Sequence, residues 1–185
     1  AASDVYKRQE MKVLIDLTSL ADNFSGIERF ALSITKELIS DQSRSDIEYI
    51  LVFKNEIHKD FSAEQNNVRK IIVRGKNKLI FNQLQLPLKL TTIKADYYFF
   101  PAFPAPFFFF NRNAISAIHD VGCWDCPSKN KRYMTLYFKL MYRKAALGHK
   151  KVVTVSQFSK DRISKILKKN PEEIAVIYDL SLINI

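Results

Sequence analysis

Along most of the chain, short apolar runs alternate with amphipathic stretches, a pattern that reads as strand, helix, strand, helix. Residues 11–17, MKVLIDL, are apolar except at Lys12 and Asp16, which suits a central parallel strand. A polar turn over residues 18–25 follows. From Gly26 the segment GIERFALSITKELIS carries apolar residues at helical spacing, namely Ile27, Phe30, Ala31, Ile34 and Leu38. Further strands are predicted over residues 46–53, 69–73, 95–100, 114–118, 150–155 and 174–178. Residues 54–67 are polar and read as irregular chain or a short helix.

Three more helices are predicted. One spans 78–94 around Leu79, Phe81, Leu84, Leu88 and Leu90, with Pro87 straining its middle and able to split it. The second spans 129–147, where Tyr133, Leu136, Tyr137, Leu140 and Met141 form an apolar stripe and Gly148 offers a C-cap. Its charge comes from residues such as Lys139, Arg143 and Lys144, and a basic, tyrosine-rich helix suits either a solvated face over a core stripe or an anionic lipid surface. The third spans 157–169, capped by Ser156, with Phe158, Ile163, Ile166 and Leu167 toward the core. Such alternation implies an α/β fold, a Rossmann-like parallel sheet with helices on both faces.

Two segments depart from the pattern. Residues 1–10, AASDVYKRQE, have no periodicity and precede a natural start at Met11, so they are expected to lie outside the fold as a non-native leader. Residues 101–110 hold three prolines and five phenylalanines, which excludes a regular helix or central strand through most of them. Aromatics in such a loop are buried, line an apolar pocket, or face a membrane.

Composition narrows the partners. A chain of 185 residues suits one domain, or at most two small ones. Its 47% apolar and 12% aromatic content argues for a folded globule. The net charge of +10 favours an anionic partner: nucleic acid, anionic lipid, or a phosphorylated substrate. No apolar run reaches the roughly 18 residues of a membrane span, and no secretory signal pattern is seen. A cytoplasmic location is expected, either free or peripheral at the inner membrane face.

Candidate chemistry gathers at strand ends. Residues 114–118 are apolar, and His119-Asp120 follows at once; in open α/β sheets this is the edge where ligands bind. Ser25-Gly26 opens a helix directly after a strand and turn, an arrangement that favours an anion. Ser156 also closes a strand. Each has a plainer reading: a surface turn, a helix entry, and a cap. Cys123 and Cys126 form one C-x-x-C near His119, but a zinc site needs a fourth ligand and none is visible. Two reduced thiols are the expectation, with no metal or cofactor.

In order and spacing, these pieces resemble the amino-terminal half of a family 4 retaining glycosyltransferase of two-domain GT-B architecture. The carrying stretches are MKVLIDLTSL with SGIERF, NQLQLPLKL at residues 82–90 with ADYYFFPAF, AISAIHD at 114–120, VVTVSQFSKDRI at 152–163, and KNPEEIAVIY. The resemblance implies transfer of a hexose from a nucleotide-sugar donor to a glycan or lipid-linked acceptor. It implies that residues 11–178 form the acceptor-side domain, that 179–185 begin an interdomain linker, and that a carboxyl-terminal domain holding the nucleotide is missing. His119 would then lie near the reacting centre as the catalytic residue. Ser25, Gly26, Arg29, Asp120 and Ser156 would bind substrate. Glu28 departs from the pattern, standing where relatives with a similar loop often carry glycine. The family's paired glutamates and basic phosphate ligands belong to the second domain, so this chain alone is expected to be inactive. The alternative is a non-catalytic basic module binding anionic membrane or nucleic acid; nucleic acid is disfavoured because no helix-turn-helix, zinc module or aromatic RNA-binding strand is recognisable.

Overall fold

A computed structural model of the chain describes residues 11–20, 25–41, 43, 46–77, 80–126 and 131–178. The leader expected at 1–10 and the linker expected at 179–185 lie outside the described residues. Seven strands form one all-parallel sheet: β1 (Met11–Asp16), β2 (Ile47–Lys54), β3 (Val68–Val73), β4 (Tyr97–Phe100), β5 (Ala114–Ala117), β6 (Lys151–Thr154) and β7 (Ile174–Val176). Their spatial order is β3-β2-β1-β4-β5-β6-β7. The first strand is therefore central, paired with β2 from Met11↔Ile47 onward and with β4 from Val13↔Tyr97 onward. This is the Rossmann-like α/β arrangement, and its strand order reverses between β1 and β4.

Alternation along the strands divides the core. Leu14, Ile50, Val52 and Phe100 turn to one face, where Leu86 and Leu90 of α2 (Leu86–Thr92) pack on them. Ile15, Leu51, Phe53 and Phe99 turn to the other, with Phe30 of α1 (Gly26–Ser40) and Phe61 of a short 3₁₀ turn, Lys59–Phe61. A four-residue helix α3 (Gly122–Asp125) follows β5, and α4 (Arg132–Gly148) and α5 (Gln157–Leu167) complete the first face. There Ala145, Ala146, Ile163 and Leu167 pack with Val152 and Ile174.

Four local expectations change. The helix predicted over 78–94 is a π-helical turn, Phe81–Gln85, running into α2, with Pro87 in the first turn of α2. Proline has no N–H to continue an α-helical ladder, and the Leu86 N–H reaches back to Phe81 O, closing a wider turn. Gly148 ends α4 as its last helical residue, and the cap is His149 in an extended conformation. Among the described residues a left-handed helix end occurs at α5 instead, at Lys168 with φ 55°.

The stripe read as the core side of α4 is largely turned outward: Tyr133, Leu136 and Leu140 are exposed. Met141 of the stripe is buried as expected, and Thr135, Ala145 and Ala146 face inward with it. Small side chains let α4 lie close to the sheet and α5, so the bulky residues occupy the far side. In α5 likewise Phe158 is exposed and Ser159 is buried in its place.

Residues 101–113 leave the carboxyl end of β4 and cross the first face of the sheet to the amino end of β5. Phe109 is fully buried, its ring 5.1 Å from Tyr98 and 5.6 Å from Phe100, while Phe108 and Phe110 are exposed. The Lys144 ammonium donates to the carbonyl oxygens of Pro106 at 3.0 Å, of Phe109 at 2.6 Å, and of Phe107. Burial pulls its pKa down to about 8, which leaves it charged at neutral pH. From β5, Ser116 Oγ accepts the Ala105 N–H at 3.1 Å and is hydrogen-bonded to His149 Nδ1 at 2.9 Å. A loop rich in proline and phenylalanine is thus held through its backbone carbonyls by one lysine and through one amide by a serine. No helix among the described residues is long and apolar enough to cross a membrane.

Candidate functional site

The carboxyl ends of β4, β5 and β6 meet at His119. The imidazole is half-buried, and its Nε2 lies 3.1 Å from Pro101 O, just past β4. A carbonyl oxygen only accepts, so Nε2 carries the proton and donates. The ring packs edge-on against Phe30 of α1, with centroids 5.1 Å apart and planes at 89°. Its backbone oxygen receives the Thr154 hydroxyl from the end of β6 at 3.5 Å. His119 is therefore fixed between three strand ends and the first turns of α1.

The other expected site residues are distributed as follows. Ser25 caps α1 in a reciprocal capping box with Glu28, whose Oε2 accepts the Ser25 N–H at 2.8 Å. Gly26 is exposed in the first turn; its φ is not positive and a Cβ there would meet nothing within 4 Å. The backbone at the helix mouth is open to solvent, and Arg29 is exposed one turn on. These three and His119 share the α1 amino-terminal region through Phe30.

Asp120 is exposed, and its Oδ1 accepts the Gly122 N–H at 2.8 Å, starting α3. Ser156 is a working N-cap: its Oγ accepts from Ser159 N at 3.0 Å and donates to Ser159 Oγ at 3.0 Å. Its one donor and one of its two acceptor positions are used locally. The Cys123 and Cys126 thiols are free, and burial pushes Cys123 up to about 11, so it is no thiolate at neutral pH. Among the described residues, no three His, Cys, Asp or Glu side chains gather to hold a metal.

A crevice of about 390 Å³ opens where the strand order reverses, beside this cluster. Its polar walls are Asp16, Thr18 and Ser19 after β1, Glu28 of α1, Lys54 of β2, and Asn82 with Gln83 of the π turn. Ala102, Phe103, Pro104 and Tyr137 close it from the other side. His119 does not line it, but its anchor Pro101 precedes the Ala102 wall, and Phe30 lies half a turn beyond Glu28. A larger cavity of about 890 Å³ lies at the amino edge of β2 and β3, away from the strand ends that bind ligands in such folds.

Asp16 is the titrating group of the crevice. Burial pushes its carboxyl above the ordinary range, against hydrogen bonds from Thr18 that pull it down. The Thr18 N–H reaches Oδ1 at 3.0 Å. The Ser19 hydroxyl is buried and has no hydrogen-bond partner among the described residues. With Asp16 and Glu28 against Lys54, the one cation among the described wall residues, the walls suit neutral hydroxyl groups better than phosphate. The capping box adds to this, because it sets the Glu28 carboxylate at the helix mouth where an anion would otherwise be favoured.

Sequence reasoning overlooked Asp16, Ser19, Lys54, Asn82 and Gln83 as wall residues. One signal was present: Asp16 is the lone acid of a strand whose one other polar residue is Lys12. No protein-family model matches the chain, and no curated protein matches it.

Proposed function

We propose that this chain is the acceptor-side domain of a retaining hexosyltransferase resembling family 4, acting with a nucleotide-binding domain outside this sequence. The observation that carries the reading is His119, fixed at the carboxyl end of β5 against α1 and beside a polar crevice at the strand-order reversal. In the reaction, the bond from the anomeric carbon to the donor diphosphate breaks, and its electron pair leaves with the nucleoside diphosphate. An acceptor hydroxyl oxygen bonds to that carbon on the face just vacated, and its proton passes to the departing phosphate oxygen. The crevice holds the hydroxyl-rich acceptor, and the ring of His119 borders the transferred sugar.

The charge departing with the diphosphate requires cations or aligned N–H groups. The α1 mouth, with Glu28 across it, is a poor sole source. The second domain supplies them and excludes water on closing. The 185-residue chain by itself is therefore expected to show no transfer when incubated with nucleotide sugars and hydroxylated acceptors. The intact parent protein is expected to give an α-linked product from an α-linked donor, read by NMR of the anomeric proton. His119→Ala in that protein should lower turnover at least a hundredfold with little change in melting temperature. Turnover by the isolated chain would refute the two-domain requirement. Steeply salt-dependent binding to DNA or RNA, with no binding of nucleotide sugars by the parent protein, would favour the basic-module alternative instead.

A further inference from the structure

An open basin of about 460 Å³ lies next to the crevice, and the accessible surface of its wall is apolar. Leu84 of the π turn with Ile80 just before it, Phe107 and Phe108 from the aromatic loop, and Tyr137 and Leu140 from α4 line it. Ile80, Leu84, Phe108 and Leu140 are each about half exposed, between 45% and 53%. Leu88 and Leu136 lie further along the same helices and are more exposed still. Isolated exposed leucines are ordinary, but bulky apolar groups from three separate elements converging on one depression mark a binding surface.

The basin and the crevice share a wall. Gln83 and Tyr137 line both, and they are bonded to each other, Gln83 Nε2 donating to the Tyr137 hydroxyl. Gln83 Oε1 also accepts the Phe107 N–H at 3.2 Å, so the partition is braced from the loop. On one side of this pair lie Asp16, Ser19 and Asn82; on the other lie only hydrocarbon and aromatic rings. A ligand crossing the partition changes its chemistry from hydroxyl-bearing to apolar over a few ångströms.

We propose that crevice and basin form one bipartite site for an amphiphile, with a neutral hydroxylated head group in the crevice and a hydrocarbon chain over the basin. Taking that amphiphile as the acceptor of the transfer rests on the reading above; its binding does not. No Lys or Arg among the described residues lines the basin, which speaks against an anionic bilayer as the occupant. Lys144 is committed to the loop carbonyls, and Lys139 and Arg143 lie over the Trp124 ring on the other flank of α4.

Titration calorimetry with decyl maltoside, below its micelle concentration, tests this. Maltose and a decyl sulfobetaine serve as the two half-ligands. The chain should bind decyl maltoside at least tenfold tighter than either half. Leu84→Asp, on an exposed side chain, should weaken decyl maltoside at least tenfold with an unchanged melting temperature. Asp16→Asn, which keeps the oxygen that Thr18 bonds, should reduce decyl maltoside to the level of the sulfobetaine and leave the sulfobetaine itself unaffected. Equal binding of maltoside and sulfobetaine, or no binding of either, overturns the proposal. So does capture on phosphatidylglycerol vesicles that Asp16→Asn leaves untouched, which would make the face a lipid-docking surface. Binding retained in a parent protein that transfers no sugar would sink the enzymatic reading alone, and transfer without this binding would sink the site alone.

Discussion

A methyl group added at Gly75 would meet Phe81 Cδ2 at 2.4 Å and Gln85 Oε1 at 2.3 Å. Gln85 is exposed and can swing away, but Phe81 is fully buried beneath Lys54, 4.9 Å from its ring. The Gly75 N–H is also held by Asn55 Oδ1 at 2.9 Å, from a left-handed residue with φ 64°. Gly75→Ala should therefore cost about 1–3 kcal/mol in chemical denaturation through overpacking. Gly26→Ala, with open space around it, should stay within about 0.5 kcal/mol. A second residue, His149, is buried, with Nδ1 hydrogen-bonded to Ser116 Oγ. Burial, with Lys144 and Lys169 adding to it, pulls its pKa to about 4. The unfolded chain takes up that proton first, so the stabilising contribution is whole above 6.5 and is lost as the pH falls from 6.5 to about 4. The displacement corresponds to about 3 kcal/mol. Denaturation curves from pH 7 to 4 should show the wild type losing more stability than His149→Asn; parallel losses would contradict this assignment. Residues such as these are invisible in sequence, because a glycine or histidine acquires its meaning from the neighbours the fold brings to it.

At the scale of elements, the strands were legible and the helix faces were not. Apolar runs such as residues 11–17 and 114–118 identify buried strands because a parallel sheet covers both sides of each. On α4, apolar residues occur on opposite sides, and periodicity does not say which side is inside. Packing against β6 and α5 chose the smaller set, Thr135, Ala145 and Ala146. The aromatic loop was half legible: its irregularity follows from its prolines, but its anchor Lys144 belongs to a helix more than thirty residues away. Lys144→Met keeps the stem and removes three charged hydrogen bonds. It should destabilise the protein by roughly 1–3 kcal/mol and raise protease cleavage within residues 101–113, measured by limited proteolysis. Unchanged cleavage would mean that Phe109 and Ser116 hold the loop without it.

For the whole molecule, the order β3-β2-β1-β4-β5-β6-β7 decides where chemistry can collect. The β1–β4 reversal leaves a gap between the chain segments that leave the sheet in opposite directions, and the crevice occupies it. That Asp16 and His119 stand on one edge could be anticipated from the strand order of such folds; that the crevice is acidic and abuts an apolar basin could not, since it needs the π turn, the loop and α4 together. The central position of β1 has one more outcome, which concerns birth of the protein. Of the seven described strands β1 is synthesised first, yet its neighbours begin only at Ile47 and Tyr97. The nascent chain thus carries an apolar ribbon with both hydrogen-bonding edges bare until long-range partners arrive, so chaperone capture should concentrate on β1.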